Sequence, residues 1–81
     1  MMEEKILIVD DEEHIVTLLA YNIEKAGFII DTAYDGLEAM QKAEQFDYDL
    51  IILDVMLPKM DGMEVVKQLR SKTINTPVLM V

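Results

Sequence analysis

Residues 50–62 read LIILDVMLPKMDG: Leu50-Ile51-Ile52-Leu53 runs straight into Asp54, ahead of Val55-Met56-Leu57-Pro58-Lys59-Met60-Asp61-Gly62. A short apolar run bounded by turn residues reads as a strand buried on both faces, the pattern of a parallel sheet. A charge closing such a strand is out of place in a core. The same juxtaposition occurs at Ile6-Leu7-Ile8-Val9, which is followed by Asp10-Asp11. Two buried strands that each end in carboxylate mark the place to look for chemistry, and what lies between them sets the fold class.

The stretches between these strands carry helical spacing. Asp11 reads as the N-cap of a first helix, with Glu12 and Glu13 in the first turn, where the helix dipole favours negative charge. Ile15, Leu18, Leu19, Ile23 and Ala26 follow at helical intervals, and Gly27 reads as the residue just past the helix end. Phe28–Ala33 is a more mixed strand, suited to a place near a sheet edge. Asp35-Gly36 is a turn signal before a second helix marked by Leu37, Met40 and Ala43. Asp61-Gly62 opens a third helix with Val66, Leu69 and a basic end at residues 67–70. Thr76-Pro77 then introduces a fourth strand, Val78–Val81. Alternating strands and helices at this spacing predict right-handed crossovers and an α/β fold with a parallel sheet, β1-α1-β2-α2-β3-α3-β4.

The bulk properties narrow the function classes. The 81 residues make one domain at most, near the lower end of what holds a core without staples. A hydrophobic share of 52% makes a packed core available. With no cysteine, disulfides and thiolate metal sites are excluded. The formal net charge of −9 argues against direct nucleic-acid contact by this segment. No apolar run has the length of a membrane span and no signal-peptide pattern opens the chain, so a soluble, cytoplasmic protein is expected.

In an open parallel sheet, ligands bind outside the carboxyl ends of the strands where the strand order reverses. With the flavodoxin-like order 2-1-3-4, β1 and β3 are neighbours there, and Asp10, Asp11 and Asp54 converge on one pocket. Two such charges about 4 Å apart repel by about 4 kcal/mol at an effective dielectric of 20. Either one is protonated or a cation sits among them. Oxygen donors without His or Cys select Mg²⁺ or Mn²⁺ over zinc. Asp10-Asp11 taken alone is explained as a strand end and a cap, but Asp54 caps no helix. His14, the sole histidine, falls on the polar side of the first helix and reads as a solvated surface residue. Asp35 and Asp61 read as turns and helix starts.

Ile-Val-Asp-Asp-Glu at 8–12, Asp54 closing β3 and Leu-Pro-Lys-Met-Asp-Gly at 57–62 together resemble the receiver domain of bacterial two-component response regulators, in order and spacing over essentially the whole chain. The Met-Leu-Pro form of the loop is similar to regulators that carry a winged-helix DNA-binding output domain. The resemblance implies that Asp54 is the phosphoacceptor, taking a phosphoryl group from a phosphohistidine of a sensor histidine kinase. It implies that Asp10 and Asp11 hold Mg²⁺, one directly and one largely through water, and that the backbone carbonyl of Met56 is a further ligand. Such a domain is a phosphoacceptor and not a turnover enzyme. Kinase helices dock on α1 in this family, which makes Ile15 and Leu18 candidates for part of that surface.

Receivers have five strands and five helices, so residues 1–81 correspond to the N-terminal portion of one receiver domain, lacking α4-β5-α5. The family's Ser or Thr at the end of β4 and its Lys at the end of β5 have no counterparts here; Lys59 and Lys72 are poorly placed substitutes. A β4 edge reading Val-Leu-Met-Val is an association hazard, and a dimer or higher oligomer through it is expected. Three other classes compete. A haloacid-dehalogenase-type phosphohydrolase wants a second Asp two residues after the nucleophile, where Met56 stands. A nucleotide or flavin binder needs a Gly- or Ser/Thr-rich phosphate loop after β1, where Asp10-Asp11-Glu12-Glu13 would repel phosphate. The remaining alternative is a non-phosphorylated structural or interaction module of the same fold.

Overall fold

The computed structural model describes residues 4–81. The elements are β1 (Lys5–Val9), α1 (Glu13–Lys25), β2 (Ile29–Ala33), α2 (Gly36–Gln45), β3 (Leu50–Leu53), α3 (Gly62–Ser71) and β4 (Val78–Met80). All pairings are parallel, in the order β2-β1-β3-β4. This is the expected flavodoxin-like arrangement, with β2 at one edge and β4 at the other.

The two apolar runs are buried on both faces because helices cover both sides of the sheet. Leu7, Val9, Ile51 and Leu53 face Ala39, Met40 and Ala43 of α2 and Val65 and Leu69 of α3. Ile6, Ile8 and Ile52 point the other way, against Val16, Leu19, Ala20 and Ile23 of α1. Side chains alternate along a strand, so one run of four apolar residues feeds two cores. The register is level where it matters. Val9 lies opposite Ala33 on one side and Leu53 on the other. The amide of Asp54 donates to the Val9 carbonyl at 3.0 Å and that of Asp10 to the Ala33 carbonyl at 3.2 Å. Asp10 and Asp54 therefore leave the sheet side by side.

Several expectations need correction. Asp11 does not cap α1. The N-cap position belongs to Glu12, whose carbonyl accepts from the amides of Ile15 and Val16 at 3.0 and 3.1 Å and whose side chain makes no capping bond. The cause is Asp10: its carboxylate takes the Glu12 amide at 2.9 Å, an Asx-type turn that delays the helix. The inward stripe of α1 is Val16, Leu19, Ala20 and Ile23, while Ile15, Leu18 and Ala26 are exposed. Residues 15 and 18 and residues 16, 19 and 23 are both apolar at helical spacing, and the sheet takes the second set. In α2, Leu37 is exposed and Ala39 is buried with Met40 and Ala43. In α3 the buried positions are Gly62, Val65 and Leu69, with Val66 at the margin. Strands β2 and β4 are each one residue shorter than expected, at Phe28 and at Val81 respectively.

Helix ends otherwise follow the sequence. Gly27, at φ 103°, closes α1 with its amide on the Glu24 carbonyl and the Phe28 amide on that of Ile23, a Schellman motif. Asp35 and Asp61 cap α2 and α3, their carboxylates accepting from the amides of Glu38 at 2.8 Å and Glu64 at 3.0 Å.

Candidate functional site

Asp10, Asp11 and Asp54 come together as the strand ends dictate: one carboxylate oxygen from each lies within 4.8 Å of the others. Asp10 is only 7% exposed, the single buried charged side chain among the described residues. Asp54 is half-buried and Asp11 is exposed. Each of the two inner carboxylates is oriented by an amide two residues ahead, Glu12 onto Asp10 at 2.9 Å and Met56 onto Asp54 at 3.1 Å. Among the described residues no Lys or Arg pairs with any of the three. The ion pairs form elsewhere, at Lys42–Asp31, Lys42–Glu38, Lys59–Asp35 and Lys72–Glu44. Lys59 and Lys72, poor substitutes for a site lysine by sequence, are thus committed to other partners.

The donor set fits a hard divalent cation. It is oxygen-only, anionic and uncompensated, with one member desolvated. Opposite oxygens around Mg²⁺ are about 4.2 Å apart, close to the span available here. Met56 joins the site through its backbone, and its side chain is 82% exposed.

Two glycines hold the segment that follows Asp54. Gly62, the first residue of α3, donates to the Val55 carbonyl at 2.8 Å. A Cβ there would lie 2.6 Å from the Asp54 carbonyl oxygen and 2.9 Å from the Val55 Cα. Gly36, the first residue of α2, donates to the Pro58 carbonyl at 3.4 Å, and a Cβ on it would overlap the backbone of Met60. Between them Leu57 is buried, while Val55, Met56, Pro58, Lys59 and Asp61 are exposed. The two Asp-Gly pairs are turns and helix starts, as their sequence implies. That each glycine also abuts the segment after Asp54 is visible only in the tertiary structure.

A second polar group lies on the β2 side. Asp31 accepts from Tyr48 Oη at 2.6 Å, from Lys42 Nζ at 3.2 Å and from the Thr32 amide at 3.0 Å. Lys42 also reaches the Thr32 carbonyl. Burial pushes the Asp31 carboxyl up, but the Tyr48 hydroxyl, the Lys42 ammonium and the Thr32 amide together outweigh it, and the net shift is downward. Burial, reinforced by the Asp31 charge, drives the Tyr48 phenol well above its ordinary value. The Asp35 carboxyl is lowered, first by the Glu38 amide it caps. Asp31, Lys42 and Tyr48 fix α2 and the β3 approach to the sheet edge; no motif or spacing in the sequence singles them out.

Comparison with known proteins agrees with this geometry. A profile of the response regulator receiver domain matches residues 6–81. The chain is 61% identical over 79 residues to the alkaline phosphatase synthesis transcriptional regulatory protein PhoP of Bacillus subtilis, covering 98% of this chain and 33% of that protein. It thus spans about a third of the length of the curated relatives it matches. Among solved structures, the Francisella response regulator 1452 receiver domain superposes with a TM-score of 0.93 at 36% identity, over 96% of this chain and 64% of that one. The response regulator TrrA of Thermotoga maritima, in complex with Mg(2+)-BeF, superposes with a TM-score of 0.89 at 39% identity, over 95% and 67%. By sequence, fold and the position of its carboxylates, the chain belongs to the response regulator receiver domain family.

Proposed function

We propose that this chain, as the N-terminal portion of one receiver domain, accepts a phosphoryl group on Asp54 from a phosphohistidine of a sensor histidine kinase, with Mg²⁺ held by Asp10, Asp11, Asp54 and the Met56 carbonyl. The observation that carries the reading is the meeting of three carboxylates within 4.8 Å at the ends of two adjacent strands, with no ion-pair partner among the described residues. A relative with the same fold, solved in complex with Mg(2+)-BeF, supports the choice of metal.

The chain's own residues divide the work. Asp54 supplies the nucleophile: a carboxylate oxygen attacks phosphorus, the P–N bond to the donor imidazole breaks, and the imidazole leaves as a neutral base after taking a proton from water. The Met56 amide orients the Asp54 carboxylate. Asp10, fixed by the Glu12 amide, and Asp11 would hold the metal beside Asp54, where the incoming group arrives. When bound, Mg²⁺ neutralises charge on the phosphoryl oxygens, which is the larger part of what phosphoryl transfer requires. The domain is a phosphoacceptor rather than a turnover enzyme, working in the cytoplasm. The longer proteins that resemble it are named as transcriptional regulatory proteins, and in a protein of that kind the acyl phosphate would regulate transcription through a further domain.

Borohydride trapping tests the assignment. Incubation with phosphoramidate and Mg²⁺, followed by borohydride, reduces an acyl phosphate to the alcohol and converts the acceptor Asp to homoserine. Peptide mass mapping is expected to find homoserine at position 54. Homoserine at another carboxylate, or nowhere, would overturn the reading.

A further inference from the structure

We propose that Gly36 is a positioning residue for the phosphoacceptor segment, with the Asp35–Lys59 ion pair beside it as a clasp; the proposal rests on Asp54 being the acceptor. The β2–α2 turn lies far from Asp54 in sequence and bears no group that touches substrate. Its backbone nevertheless forms the wall against which the segment 55–61 is folded. The Gly36 amide donates to the Pro58 carbonyl, and Lys59 Nζ reaches Asp35 Oδ2 at 3.5 Å. Lys59 adopts φ 70° and the Met60 amide returns to the Pro58 carbonyl at 2.7 Å, a tight reversal that lays the Met60 backbone on Gly36. A Cβ at position 36 would sit 2.6 Å from Met60 Cβ and 2.7 Å from its carbonyl carbon.

Backbone cannot rotate out of such an overlap, so one side must move by about an ångström. The yielding side follows from burial. Ala39, Met40 and Ala43 lock α2 into the core, and the Asp35 cap fixes its first turn. Most of the segment 55–61 is exposed and held at few points, which makes it the softer partner. That segment includes Met56, whose amide orients the Asp54 carboxylate. Displacement at Met60 is therefore passed to the acceptor. Misplacing a reacting group by about 1 Å lowers rates by up to about 100-fold.

The test compares Gly36→Ala with Gly27→Ala. Gly27 has φ 103° and nothing within 4 Å of its Cβ position, so Gly27→Ala strains the backbone far from the site. Two quantities are read on each chain: the amide NMR signals of Asp54 and Met56, and the initial rate of Asp54 phosphorylation by phosphoramidate at saturating Mg²⁺, per folded molecule. Gly36→Ala is expected to shift the Met56 amide and lower the rate about 10- to 100-fold. Gly27→Ala is expected to lower the melting temperature with the Met56 signal and the rate unchanged. An unmoved Met56 amide in Gly36→Ala, or equal rate losses in the two variants, would assign Gly36 a merely structural role. If Gly36→Ala does not fold, Asp35→Asn decides: it keeps a capping oxygen, removes the charge facing Lys59, and is expected to shift the same amide with a two- to fivefold rate loss, on the order expected for an exposed ion pair. An unmoved signal there overturns the proposal. A wild-type chain that takes no phosphoryl group refutes the acceptor reading, while the Met56 amide still decides the clasp.

Discussion

Asp10 and Asp54 stand where a buried strand meets solvent, and each is turned by an amide two residues on. Their placement at the strand ends, though not the orienting amides, was legible in the sequence, because a carboxylate held against a buried apolar run costs free energy unless its charge is put to use. The glycine contacts were not, because they join residues distant in sequence. Gly62→Ala is expected to destabilise the fold by about 1–3 kcal/mol, the usual cost of overpacking, since its Cβ meets the Asp54 and Val55 backbone; urea denaturation measures it. Asp31 gives a pH prediction. Its folded pKa lies below the unfolded value of 3.8, so its contribution is present above 3.8 and is lost as pH falls through the folded value. Asp31→Asn is expected to flatten the acid limb of stability against pH. An unchanged acid limb would show that other carboxylates set it.

At the level of helices and strands, type and order were readable and phase only in part. Helix α1 offers two apolar stripes, and only the sheet beneath decides between them. Val16 is 2% exposed and Leu18 is 63% exposed. Val16→Ala is expected to cost about 2 kcal/mol and Leu18→Ala less than about 0.5 kcal/mol, read from denaturant midpoints. The reverse ranking would return α1 to the phase the spacing alone suggested. The end of α3 shows a local conflict. Thr73 has φ 59°, a conformation poorly suited to a β-branched residue, where α1 uses Gly27. Thr73→Gly is expected to raise stability by up to about 1 kcal/mol, because relief of the strain outweighs the entropy that glycine adds to the unfolded chain. A lower melting temperature would contradict this.

For the molecule as a whole, four parallel strands between one helix and two cover both faces of β1 and β3 and leave the free side of β4 at an edge. Leu79 and Val81 are exposed there. This chain is expected to self-associate with concentration, which light scattering on a sizing column would show as a rising mass; a constant monomer mass up to high concentration would contradict it. The acidic end of the sheet carries the proposed site, and that reading stands or falls on one reaction. Intact mass after incubation with phosphoramidate, with and without Mg²⁺, beside Asp54→Asn, is the most direct measurement. A gain of one phosphoryl group that requires Mg²⁺ and vanishes in Asp54→Asn is the predicted result. No gain, a gain without Mg²⁺, or a gain that survives Asp54→Asn would contradict the assignment of Asp54 and its two partners as a metal-assisted phosphoacceptor site.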